Sequence, residues 1–175
     1  QVYGHIYEGL DNEVGKLYDW GKQRSFAYFD QIFAELDIKY DKRYLESESS
    51  KSGTEFVQKT TGKVFKKSDG AVIYEGEKVG LHTRVFINSK GLPTYEAKDL
   101  GLAELKANDY PDAAQSIIIT AHEQSEYFKV MLAALHEIDS ALADKTTHLA
   151  HGFLSLTTGK MSSRTGNVYS GAALL

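Results

Sequence analysis

The sequence predicts an α/β fold whose later part is half of a doubly wound parallel sheet. Three observations carry this. Ser116–Thr120 (SIIIT) is a continuous apolar run, the pattern of a strand buried on both faces. Glu123–Ile138 places Phe128, Met131, Leu132, Leu135 and Ile138 at helical spacing. His148–Leu156 then reads as a second strand, so strand and helix alternate from about residue 84 onward.

The earlier elements follow in order. Asp11 is placed to cap a helix entered at Asn12, with Val14, Leu17, Tyr18 and Trp20 along it. A second helical pattern carries Phe26, Phe29, Ile32, Phe33 and Leu36, with Gly21 as a kink or junction between the two. Ile38 and Tyr40 alternate with Lys39 and Asp41, which suggests a half-buried strand. Ser52 and Glu55 form a capping-box pattern that opens a short helix ending at Gly62. Val64 and Phe65 lead to Asp69–Gly70, a strong hairpin signal, and Ala71–Tyr74 form the returning strand. Arg84–Asn88 form another strand, followed by a turn at Asn88–Gly91. Pro93 precedes a helix that Thr94 can cap and that runs to about Asn108.

Composition narrows the function. The 175 residues hold no cysteine, which excludes disulfides and thiolate metal sites. No apolar run is long enough to span a membrane as a helix. A formal charge of -4 argues against a chain that binds nucleic acid over its whole surface, though not against a local basic patch. Gln1 in place of Met, and a helix that stops in its first turn after Ser170, read as an excerpt of a longer chain.

In an open α/β sheet, ligands sit beyond the carboxyl ends of the strands. The loops there are 88–95, 120–124 and 156–167. In the first, Tyr95 and Asp99 are four apart and share a helix face, a clamp suited to a guanidinium. The plainer reading is that Asp99 complements the helix dipole. In the second, His122–Glu123–Gln124 face the crevice, or simply start a helix. His148 and His151 are three apart on a strand, on opposite faces, so no metal pair is expected. The third, Gly159–Asn167, has two cations, hydroxyls and glycines that suit nucleotide phosphates, or make a solvated connector. It is not a P-loop, because Met161 follows Gly159–Lys160 where Ser or Thr is required.

The stretch GKMSSRTGN resembles the KMSKS signature loop of class I aminoacyl-tRNA synthetases. TYEAKDLGLA after VFINSKGLP, KSDGA at 67–71 and YDKRYLESE at 40–48 resemble the arginyl-tRNA synthetases in particular, in order and over essentially the whole chain. The resemblance implies that residues 84–175 are the second half of a Rossmann-like nucleotide-binding domain. Residues 1–83 would be an α+β connecting insertion on its N-terminal side. It implies arginine contacts at Tyr95, Asp99 and Gln124, with Asp99 on the guanidinium. It implies ATP contacts at Gly152, Phe153, Lys160, Met161 and Ser162, and catalytic roles for Lys160, Ser162, Ser163 and Arg164. L-arginine, ATP with Mg2+ and an arginine-accepting tRNA are the implied partners. The lack of cysteine and of a signal peptide makes the cytoplasm the default location.

Two departures stand out. Ser163 replaces the second lysine of the loop, a loss that many arginyl enzymes share. No HIGH-type motif is present; Gly4–His5–Ile6–Tyr7 lacks the second histidine. The expectation is therefore an arginine–tRNA ligase piece that is inactive alone. Its alternative is a shortened, non-catalytic paralogue that binds arginine or a protein.

Overall fold

The computed structural model describes residues 13–153. The chain divides into two units, residues 44–154 and residues 1–43 with 155–175.

In the smaller unit the described residues form one helix, α1 (Glu13–Glu35), which runs unbroken through Gly21 and buries no residue. The junction expected at Gly21 is absent because an isolated glycine costs a helix only about 1 kcal/mol and does not break it. The strand expected at Ile38–Tyr40 is absent too. The chain turns at Asp37, which has a positive φ of 52°, and the Ile38 amide donates to the Phe33 carbonyl. Tyr40 then packs edge-on against Phe33, ring centroids 4.8 Å apart, and Arg43 pairs with Asp30. Alternation over four residues cannot make a strand without a neighbour to pair with.

In the larger unit, α2 (Glu46–Thr60) starts six residues before the expected Ser52. Its first turn is closed by Glu48, whose carboxylate accepts the Leu45 amide at 2.8 Å. Ser52 lies inside the helix and donates instead to Glu104 and to the Gly101 carbonyl. The strands β1 (Lys66–Ser68), β2 (Ala71–Tyr74) and β3 (Arg84–Ile87) form an antiparallel sheet in that order. Asp69 and Gly70, with φ of 48° and 78°, supply the two left-handed residues of the expected tight hairpin.

The helix α3 (Tyr95–Asp109) lies along α2. Its core contribution is Ala97, Leu100, Gly101 and Ala103, facing Ser49, Gly53 and Val57. Below them Phe65, Tyr74 and Phe86 form an aromatic cluster with centroids 4.7–6.3 Å apart. The Tyr74 hydroxyl leaves the core to donate to Glu137 at 2.6 Å.

The remainder is β4 (Ser116–Ala121), a 3-10 turn (His122–Gln124), α4 (Ser125–Ile138), a short α5 (Ser140–Lys145) and β5 (Thr146–His151). β4 and β5 pair in parallel, Ser116 opposite Thr146 through Ala121 opposite His151. This is the strand–helix–strand order expected from the sequence. Helix α4 buries Phe128, Met131 and Leu135, and Phe128 stacks on His148 at 4.2 Å. The expected burial of β4 on both faces is not found. Ile117 and Ile119 are 52% and 63% exposed, and Leu149 beside Ile119 is open as well. An apolar run reports that a strand can be covered twice, not that a second layer covers it among the described residues.

No helix among the described residues is long and apolar enough to cross a membrane.

Candidate functional site

The site is built at the start of α3. Asn88 accepts the amides of Lys90 and Leu92 on its side-chain oxygen, at 2.9 and 3.1 Å, and Gly91 takes a positive φ of 77°. This local Asx-type turn brings the chain back onto β3. Thr94 was expected to cap the helix with its side chain. Its hydroxyl donates instead to the Val85 and Phe86 carbonyls, and its amide donates to Phe86 at 2.9 Å. The first turn of α3 is thereby pinned to β3 rather than capped.

Four side chains of that turn have different fates. Tyr95 is 70% exposed, and the Lys98 ammonium lies 5.0 Å from its ring centre. Lys98 also pairs with Glu46 of α2. Glu96 is buried and pairs with Arg84 of β3 at 3.0 Å. Asp99 is half-buried and accepts the hydroxyl of Tyr127 from α4 on Oδ2. Among the described residues Asp99 has no cation at ion-pair distance, in contrast to Glu96. Burial pushes its carboxyl above the usual carboxylate range; the Tyr127 hydrogen bond opposes this, Glu96 adds to it, and Lys106 and Lys98 offset it. Burial also pushes the Tyr127 phenol up, with Asp99 reinforcing the shift. Lys106 is held below its usual range by burial, partly offset by Asp99.

At the carboxyl ends of the parallel strands stand His122–Gln124 and Gly152–Phe153. His122 meets Phe153 edge-on, centroids 5.3 Å apart. A side chain on Gly152 would meet open space. Gln124 is exposed and makes no hydrogen bond to Tyr95 or Asp99 among the described residues, but it leads directly into the turn of α4 that presents Tyr127. Tyr95 and Asp99 thus stand at the start of α3, and Gln124 in the turn before α4, the helix whose Tyr127 bonds Asp99. Lys160, Met161, Ser162, Ser163 and Arg164 lie outside the described residues. A cavity of about 210 Å³ lies at the other end of β4, lined by Lys106, Tyr110, Ser116, Asp139 and Lys145, and holds none of the predicted site residues.

No family model matches the chain. Over 172 residues it is 31% identical to an arginine–tRNA ligase of Amoebophilus asiaticus, covering 96% of the chain and 28% of that protein. It is 32% identical over 161 residues to the arginine–tRNA ligase of Limosilactobacillus reuteri, covering 91% and 28%. The chain is homologous to arginine–tRNA ligases. It spans about 28% of the length of these relatives. Its fold matches part of solved arginyl-tRNA synthetases. One, from Plasmodium falciparum, has a TM-score of 0.63 at 19% identity, over 82% of this chain and 26% of that one. A Campylobacter jejuni structure assigned as an arginyl-tRNA synthetase has a TM-score of 0.68 at 18% identity, over 88% and 35%. The mixed α/β architecture is therefore shared with part of these ligases.

Sequence reasoning missed Arg84, Tyr127 and the pairing of Glu96. The available signal was the position of Tyr127, three residues after Gln124 and so one helical turn further along.

Proposed function

We propose that this chain is the part of an arginine–tRNA ligase that holds the amino-acid pocket, with residues 84–175 forming the second half of its nucleotide-binding fold and residues 1–83 a connecting region. The observation that carries the reading is Asp99: a half-buried carboxylate with a hydroxyl on one oxygen and no cation paired to it among the described residues. Such a group is a receptor for a ligand cation, because pairing recovers the solvation that burial removed. Glu96, three residues away, has its cation already and is not available.

In this reading Asp99 receives the guanidinium of L-arginine, Tyr95 lies along its chain and Gln124 stands nearby. Gly152 and Phe153 are assigned to ATP, and the resemblance assigns Lys160–Arg164, outside the described residues, to the signature loop. The arginine carboxylate attacks the α-phosphate, pyrophosphate leaves, and the arginyl-adenylate forms. The arginyl group then passes to a terminal ribose hydroxyl of the tRNA, releasing AMP, in the cytoplasm. Positioning and charge stabilisation supply most of such catalysis. Mg2+ would accompany the nucleotide, held chiefly through its phosphate oxygens.

The test is calorimetric titration of the chain with arginine, lysine and citrulline. Citrulline has the shape of arginine without the charge, so it should bind at least about tenfold more weakly. Equal binding of arginine and citrulline removes the Asp99 assignment. We expect no arginine-dependent ATP–pyrophosphate exchange from the 175-residue chain.

A further inference from the structure

We infer that Tyr127 is the positioning residue of the Asp99 carboxylate and, through it, a determinant of selectivity for a planar, two-pronged cation. The selectivity consequence rests on the arginine-pocket reading; the positioning does not.

The argument starts from the torsion that orients an aspartate. The last torsion of an aspartate side chain is broad and roughly two-fold, so rotamer preference does not fix the plane of the carboxylate. A hydrogen bond to one oxygen does. The Tyr127 hydroxyl donates to Oδ2 of Asp99, and the phenol is itself well held. Its ring is only 8% exposed and stands edge-on to Phe128, centroids 4.8 Å apart. The Arg84 guanidinium lies 5.7 Å from the ring centre, and Arg84 is anchored by Glu96 at 3.0 Å. One chain of contacts, Glu96–Arg84–Tyr127–Asp99, ties β3, α3 and α4 together and ends on the carboxylate. The groups that face Asp99 are Tyr127 from α4 and, on its own helix, Glu96, Lys98 and Lys106.

A fixed plane matters unequally to different cations. A guanidinium pairs with a carboxylate through two parallel N–H bonds, which requires the two planes to coincide. An ammonium is a point charge with rotatable donors and tolerates any plane. Holding Asp99 therefore favours guanidinium over ammonium. Releasing it should cost arginine more than lysine.

The experiment uses the 175-residue chain with aspartate carboxyl carbons labelled for NMR, compared with Tyr127→Phe and Tyr44→Phe. Tyr44 donates to Asp109 at the far end of α3 and serves as the control. In Tyr127→Phe the Asp99 titration midpoint should move up, and the preference for arginine over lysine should fall about tenfold, the weight of one hydrogen bond to a charged group. Tyr44→Phe should change neither. In the unmutated chain the Tyr127 hydroxyl proton should give a slowly exchanging resonance that follows the Asp99 titration, a readout that needs no variant to fold. An unmoved Asp99 midpoint in folded Tyr127→Phe, or a hydroxyl signal indifferent to Asp99, overturns the positioning. An unchanged arginine-to-lysine ratio overturns the selectivity. If the unmutated chain does not prefer arginine to citrulline, the pocket reading fails and takes the selectivity with it, while the carboxyl titration still decides the positioning.

Discussion

Gly101 of α3 lies so close to Gly53 of α2 that a methyl group on it would fall 2.3 Å from the Gly53 nitrogen and 2.2 Å from the Ser49 carbonyl oxygen. A methyl group on Gly53 would in turn fall 1.8 Å from the Ala97 oxygen. The two helices touch backbone to backbone. Each glycine costs its helix about 1 kcal/mol in propensity, offset by the close approach it permits. That approach sets where the first turns of α3, with Tyr95 and Asp99, are held.

Gly101→Ala should therefore destabilise the chain by about 3 kcal/mol or more, because rigid backbone rather than a flexible side chain must move. Gly21→Ala is the contrast: it lies in α1 with open space around it and should stabilise that helix by about 0.5–1 kcal/mol. Urea unfolding of both variants checks this. If Gly101→Ala is as mild as Gly21→Ala, the helix contact is looser than described.

How much of this was legible in the sequence depended on whether the cause is local. The Asp69–Gly70 hairpin and the Asn88–Gly91 turn were readable, because left-handed φ and side-chain capping are properties of the residues themselves. Helix α2 was placed too late because Ser52 and Glu55 mimic a cap that Glu48 supplies from further upstream. Asp99 and Tyr95 were readable as one face of a helix. Tyr127, 28 residues on, was not, because only the packing of α4 on α3 brings it to Asp99. The same limit applies to β4: its pattern shows what the strand tolerates on each face, and the covering layer is a tertiary fact.

That exposed face gives a second prediction. Ile117 and Ile119 project from the open side of the parallel pair, whereas Ile118 packs against the core. Ile119→Thr should change stability by less than about 0.5 kcal/mol and lower the fluorescence of a bound apolar dye. Ile118→Thr should cost about 1–2 kcal/mol and leave the dye signal in place. Equal dye binding by wild type and an Ile117→Thr, Ile119→Thr double variant would show that the dye reports another surface.

A third prediction concerns pH. Burial raises the Asp99 midpoint above that of the unfolded chain, so the folded state binds more protons between the two values. Stability must then fall as pH rises from the unfolded midpoint, about 4, to the folded one, and remain lower above it. Asp99→Asn removes this loss while keeping an acceptor for the Tyr127 hydroxyl. The variant should melt a few degrees above wild type at pH 7, with the difference closing as pH falls through the folded midpoint to about 3.5, where both side chains are neutral. Thermal unfolding at the two pH values decides it. A gap of the same size at both would assign the effect to packing rather than charge. In the proposed reading Asp99 would thus trade fold stability at neutral pH for ligand binding.

The last prediction separates the two acids of α3. Glu96 and Asp99 are three residues apart, and helical spacing puts only Asp99 on the Tyr95 face. Their surroundings divide the work. Glu96 holds Arg84, and Glu96→Ala leaves that guanidinium without its carboxylate, next to the Tyr127 ring. The cost should be about 1–3 kcal/mol, at the lower end for a pair whose Arg84 side chain is 34% exposed. Arginine affinity, measured on the folded fraction, should change modestly and only through Tyr127. Asp99→Ala should act chiefly on the ligand. It removes a buried charge but leaves the Tyr127 hydroxyl without its acceptor, so the two effects on stability offset at pH 7. In the proposed reading arginine affinity falls by a factor of about a hundred or more, and activation by the full-length ligase is lost. The double variant, compared with the two single ones, then reports whether the acids act through the shared Arg84–Tyr127 link. Independent effects would confine Glu96 to the fold, and a coupling in arginine affinity alone would place it behind Asp99 in the pocket. Equal losses of arginine affinity from Glu96→Ala and Asp99→Ala, at equal stability, would mean that the carboxylate facing the ligand has been assigned to the wrong residue.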